Sequence, residues 1–229
     1  TASYGMVDGD TVRDAGRAVG GRYADLKDVI AADAVATLQG VGDALPMSEV
    51  TLLPPITSPE KILCIGLNYL PHILETGRAK PDYPTIFTRY PDSVVAHGQP
   101  MIRPAASGKF DYEGELAVII GKPGRHIAGA DVWDHIAGYA CFNDGSIRDY
   151  QNHTTQFWPG KNFEGSGAFG PWMVTPDEVG DITAQSLTTR VNGNVEQHTP
   201  ISDMAITIPE LIAYASTVTT LKPGDVIAT

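Results

Sequence analysis

Phe110-Asp111-Tyr112-Glu113-Gly114-Glu115 runs directly into Leu116-Ala117-Val118-Ile119-Ile120, an acidic stretch feeding an apolar one. The apolar run is short and rich in β-branched residues, which is the pattern of a strand. Residues two apart on a strand share a face, so Glu113 and Glu115 are expected to project the same way. Like charges so placed repel unless something screens them. Taken alone, the pair fits a solvent-facing strand end. The apolar continuation points instead to burial, which a hard divalent cation would make tolerable.

The same grammar recurs outward along the chain. Ile62 to Gly66, Thr85 to Thr88, Ala137 to Phe142 and Leu187 to Val191 read as strands. Asn192-Gly193 reads as a hairpin turn, as does Asp8-Gly9 within Tyr4 to Val12. An Ala-rich stretch from Tyr23 to Gln39 is expected to be helical. A second helix begins at Thr207-Ile208-Pro209-Glu210, which combines a Thr cap, an early Pro and a Glu three residues after the cap. The Pro54-Pro55 break sets off residues 1–53 as a small N-terminal module from a larger unit over 54–229. Many short strands and few helices imply an α+β, β-rich fold rather than alternating βαβ units.

Composition narrows the possible functions. The chain has 229 residues, 42% hydrophobic and 19% charged, as folded globular proteins do. Its net charge of −11, with no cluster of Lys and Arg, argues against binding nucleic acid or an anionic membrane. No run approaches the ~18 apolar residues of a membrane span. Thr1 to Gly9 contains no basic region followed by an apolar stretch, so no signal peptide is read there. Cys64 and Cys141 each sit inside an apolar run, without the spacing of a zinc site or a disulfide framework, and a reduced cytoplasmic setting is expected.

A third carboxylate enters with Asn143-Asp144, which closes the apolar Tyr139-Ala140-Cys141-Phe142. Three carboxylates without His or Cys favour magnesium, manganese or calcium over zinc or copper. His72-Ile73-Leu74-Glu75, on a short helix, would place His72 and Glu75 on one face, either as a surface pair or as a base oriented by its carboxylate. Lys161 falls in a Gly- and aromatic-rich loop from Phe157 to Trp172, where a solvated lysine is equally at home. Gly165 to Gly170 matches G-x-G-x-x-G, but Pro171-Trp172 follows and no crossover helix can begin there. No G-x-S-x-G elbow and no Walker loop occur, and His97, His126, His135 and His198 have no ligand spacing.

Taken in order, C-I-G-L-N-Y-x-x-H-x-x-E (64–75), D-Y-E-G-E-L-A-V-I-I-G-K (111–122), G-Y-x-x-F-N-D-x-S-x-R-D-x-Q (138–151), G-K-N-F, G-P-W-x-V-T and L-x-P-G-D-V-I-A-T resemble the fumarylacetoacetate hydrolase family from about Pro54 to Thr229. The resemblance implies a mixed β-roll with the active site at one end of the sheet and subunits in pairs. By the same resemblance Glu113, Glu115 and Asp144 bind magnesium, and His72 and Glu75 form a water-activating dyad on a lid. Lys161 meets the reacting oxo group, while Arg148 and Gln151 lie near metal and substrate. The family's T-G-T-P segment would only be starting at Thr229, so its substrate-holding Thr is expected to be missing.

The function so implied is magnesium-dependent hydrolysis of a carbon–carbon bond in a 2,4-dioxo-acid of the acylpyruvate or fumarylpyruvate kind, in aromatic catabolism. Oxaloacetate decarboxylation is the alternative, with isomerisation or hydration of aromatic or sugar-acid degradation products after it. A member that only binds an oxo-acid is the reading from another class. The segment from Asn68 to about Lys80, interrupted by Pro71 and Gly77, is expected to be a lid that is mobile without ligand.

Overall fold

The computed structural model describes residues 1–229. β1 (Met6–Asp8) and β2 (Thr11–Arg13) form the expected hairpin, with Gly9 at φ +56° in its turn. After α1 (Ala15–Ala18) and α2 (Leu26–Ala31), β3 (Ala44–Pro46) completes a three-stranded sheet against β2. The helix expected over 23–39 is broken. α2 ends at Ala31, Asp33 takes a φ of 53°, and the Asp33 and Ala34 amides donate back to the Ile30 and Val29 carbonyls. That is a Schellman stop with Asp where Gly is usual. A 3₁₀ turn over Val35–Leu38 then carries Leu38 into a small core with Ala15, Val29 and Ala34, so packing overrides the helix propensity of alanine.

The remainder is built on strands. β4 (Ile62–Gly66) leads to α3 (Leu70–Glu75), β5 (Thr85–Arg89) and β6 (Val94–Ala96). A short β7 (Phe110–Asp111) precedes β8 (Gly114–Ile120) and β9 (Ile136–Asn143), and β10 (Ser146–Ile147) returns to pair with β7. Next come α4 (Arg148–Gln151), α5 (Trp158–Lys161), β11 (Gly167–Val174) and α6 (Pro176–Val179). β12 (Ser186–Val191) and β13 (Asn194–Pro200) form a hairpin turning at Asn192 and Gly193, both at positive φ. α7 (Ile208–Val218) carries the expected capping box, and β14 (Val226–Ala228) follows.

Seven strands join in the order β5-β4-β14-β8-β9-β11-β6. β14 runs parallel to β4 and β11 to β6, while the other neighbours are antiparallel, so the sheet is mixed as expected. Alternation along β8 splits the core. Leu116, Val118 and Ile120 pack with Leu63, Ile65 and the buried face of α7, whereas Ala117 and Ile119 pack with Ile62, Cys64, Phe142, Phe169 and Val226. Val118, Ile119 and Ile120 are wholly buried, each contributing roughly 1.5–3 kcal/mol relative to exposure. Glu115 shares the parity of Ala117 and Ile119, and so enters the second face.

Cys64 is buried, but Cys141, also inside an apolar run, is exposed. Its β11 neighbour is Gly170, which has no side chain to cover it. No helix is long and apolar enough to cross a membrane.

Candidate metal centre

The ladder between β8 and β9 ends at Gly114 opposite Asn143, and pairing resumes only where Asp111 of β7 faces Ser146 of β10. Tyr112-Glu113 and Asp144-Gly145 lie in the gap. Glu113 therefore precedes β8 and is not two places along one strand from Glu115. What aligns them is the break itself: the Asp144 amide donates to the Glu113 carbonyl at 2.9 Å, and the Glu113 amide to Asn143 Oδ1 at 3.1 Å. One carboxylate oxygen from each of Glu113, Glu115 and Asp144 falls within 4.8 Å of the others. Asp144 and Glu115 are buried, and Glu113 is partly so.

Three cations surround this triad. Lys161 is not in a loop but is the last residue of α5, 1% exposed. Its Nζ donates to Glu113 Oε2 at 2.6 Å and to Asp144 Oδ2 at 2.5 Å. Arg148, at the start of α4, donates from Nη1 to Glu113 Oε1 and, at 3.0 Å, to Gln151 Oε1, while Nε reaches Asp111 Oδ2 at 2.8 Å. Gly160 presses so closely on Gln151 that a Cβ there would lie 2.5 Å from the Gln151 amide nitrogen, which holds α5 against α4. The third cation, Arg89 at the end of β5, pairs with Asp144 Oδ1 at 2.6 Å. No sequence signal pointed to it, since a lone Arg closing an apolar strand is usually a wet end.

The electrostatics agree with the geometry. Burial pushes the Glu115 carboxyl well above its usual range, and the Asp144 and Glu113 charges add to this. Burial works against the Lys161 charge, but Asp144, Glu113 and Glu115 outweigh it and raise the ammonium above its ordinary value. None of the three cations forms an ion pair with Glu115, whose Oε2 is buried with no hydrogen-bond partner. An orphaned carboxylate oxygen inside an all-oxygen donor set fits a hard divalent cation.

His72 and Glu75 do share a face of α3, with Nδ1 3.4 Å from Oε2, but they are 58% and 77% exposed. Glu113, Glu115, Asp144, Lys161, Arg148 and Gln151 are brought together, whereas this pair looks to solvent. Pro71 and Gly77 bound the helix within the segment. Pro71 sits in its first turn, and Gly77, at φ +68°, follows its cap. The root of the segment is tied down: the Asn68 side chain exchanges hydrogen bonds with the Ile206 backbone at 3.1 and 3.0 Å, and Tyr69 Oη lies 2.9 Å from Thr229 Oγ1.

A mixed sheet whose interrupted strand ends gather three carboxylates and a buried lysine builds an all-oxygen site of the kind that can hold a hard divalent cation. The family described as Fumarylacetoacetate (FAA) hydrolase C-terminal matches residues 61–229, and this chain belongs to it. The mitochondrial oxaloacetate tautomerase fahd2 of Xenopus laevis is 41% identical over 187 residues, 81% of this chain and 59% of that one. The chain therefore spans about three fifths of the length of such relatives. Among solved structures, fumarylacetoacetate hydrolase from the psychrophilic Exiguobacterium antarcticum superposes with a TM-score of 0.85 at 35% identity, covering 98% of this chain and 80% of the other. Maleylpyruvate hydrolase from Sphingobium sp. SYK-6, in complex with manganese(II) and pyruvate, gives 0.81 at 30% identity, covering 98% and 83%.

Proposed function

We propose that residues 54–229 form the catalytic part of a divalent-metal enzyme that interconverts the keto and enol forms of oxaloacetate or a close 2-oxo-dicarboxylic acid, with residues 1–53 as an appended module. The observation that carries this is the buried Lys161 ammonium between Glu113 and Asp144, a fixed positive charge where an enolate oxygen needs one. The named activity of the frog relative supports the choice of acid. Glu113, Glu115 and Asp144 would hold magnesium, or manganese as in the Sphingobium protein. That ion, when bound, supplies Lewis-acid polarisation of the 2-oxo group.

The chain's own residues account for the rest. Arg148, paired with Glu113, and Gln151, which accepts from Arg148, would receive the substrate's carboxylate. Lys161 stabilises the negative charge that develops on the C2 oxygen. His72, oriented by Glu75, takes the proton from C3 and returns it to that oxygen once its helix has closed over the site. The reaction is then a proton transfer, with no bond to carbon other than C–H broken. Hydrolysis of a 2,4-dioxo-acid, which the motifs alone favour, is the second reading. The same dyad supports it, because a base positioned by a carboxylate also activates water.

Freshly dissolved enol-oxaloacetate separates the two. Faster loss of the enol ultraviolet band with enzyme and magnesium, without release of pyruvate, is the expected result, and chelation should abolish it. An uncatalysed decay rate together with cleavage of an acylpyruvate to pyruvate would replace tautomerisation by hydrolysis. The pairing of subunits belongs to the same proposal, and a sedimentation mass of one chain would overturn it.

A further inference from the structure

Arg89 is a buried cation to which the proposed chemistry assigns no task. It has five N–H groups, and each finds an acceptor. Nη1 donates to Asp144 Oδ1 at 2.6 Å and the Gly145 carbonyl at 3.0 Å; Nη2 to Ser166 Oγ at 2.8 Å and the Ser93 carbonyl at 3.1 Å; Nε to Ser93 Oγ at 3.1 Å. Its side chain is 0% exposed. Gly167 lets the chain pass beside it, for a Cβ there would lie 2.6 Å from Nη2. A guanidinium anchored on three sides has no rotamer freedom left to follow its partner, so the partner must follow it.

We propose that Arg89 is a positioning residue for the metal centre. It fixes the carboxylate plane of Asp144 so that Oδ1 is spent on the guanidinium and Oδ2 faces Lys161 and the cation. This rests on the reading of Glu113, Glu115 and Asp144 as metal ligands. The two oxygens of Asp144 already have separate partners, Arg89 on Oδ1 and Lys161 on Oδ2, which is the division such a role requires. Charge alone would not achieve it. A lysine in place of Arg89 keeps the positive charge but donates from a single point, and cannot reach Ser93, Ser166, Gly145 and Asp144 together.

The test is magnesium titration by calorimetry on the parent chain, Arg89→Lys and Ser166→Ala, with melting of each in chelator as a control for folding. Ser166→Ala loosens the fork while leaving Arg89 and every proposed ligand in place, and it carries the test if Arg89→Lys does not fold. Arg89→Lys is expected to raise the magnesium Kd about ten- to hundredfold, and Ser166→Ala in the same direction by less. Lowered melting temperatures with Kd values unchanged to within about twofold, well short of the usual effect of an outer partner, would reduce Arg89 to a structural ion pair and overturn the proposal. A parent chain that takes up neither magnesium nor manganese would overturn the ligand reading as well, so the two failures are told apart.

Discussion

At the scale of single residues, the acidic triad was legible because a carboxylate beside an apolar strand is costly and demands a reason. Glu113, Glu115 and Asp144 each abut such a run. Arg89 was not legible: its partners Ser93, Asp144, Gly145 and Ser166 lie up to 77 positions from it in sequence, and only the fold assembles them. The burial of Lys161 escaped for a similar reason, since α5 is a single turn packed through Gly160. Glu115 gives the sharpest test at this scale. Glu115→Gln removes a buried charge whose Oε2 has no partner, at almost no change in shape. The metal-free variant should melt no lower than the parent, while magnesium affinity falls on the order of a hundredfold or more, since a direct ligand outweighs an outer one. Loss of metal-free stability with affinity retained would contradict the placement of Glu115 at the ion.

At the scale of elements, strand cores, hairpin turns and the capped helix α7 were readable because each is decided by residues a few places apart. The break in the helix expected over 23–39 was not, because Asp33 gives no Gly or Pro signal and the stop serves the small core around Leu38. In α7, Glu210 Oε2 accepts hydrogen bonds from the Thr207 amide and hydroxyl, both at 2.7 Å, and these hold its carboxyl below the ordinary value of 4.5. A folded value below the unfolded one means stability that is present at neutral pH and is lost as pH falls below 4.5 and through the lowered value. Glu210→Gln should therefore flatten the acid side of the stability curve, and Thr207→Ala should cost about 1 kcal/mol near neutrality, both read by urea unfolding. Segment 68–80 makes a different prediction. Its root is pinned through Asn68 and Tyr69 and Ile73 is buried, but His72, Leu74 and Glu75 are exposed, so α3 is held through a single buried side chain. Oxalate, which mimics a chelating oxo-acid, should slow hydrogen exchange over 70–80 only when magnesium is present. Equal exchange with and without oxalate at saturating magnesium would leave α3 a fixed helix and His72 without a route to substrate.

At the scale of the whole molecule, the β-rich fold followed from the count and spacing of short apolar runs and the mixed sheet from the family resemblance, but strand order from neither, because parallel neighbours leave no local mark. β14 shows why this matters. Residues 226–228 lie in the interior of the sheet, between β4 and β8, 164 positions after the first of these by the register of Val226 with Ile62. While a ribosome is still making residues 130–220, the inner edges of β4 and β8 have no partner, and each offers unpaired amides and carbonyls beside apolar side chains. Joining β4 to β8 through β14 is thus a non-local closure of the slow kind. Stalled nascent chains released before residue 226 should bind chaperones and resist compaction. Chains long enough for β14 to clear the exit tunnel should pull on an arrest sequence as it inserts. Synthesis rate, and not only the finished sequence, then becomes part of what sets the yield of active protein.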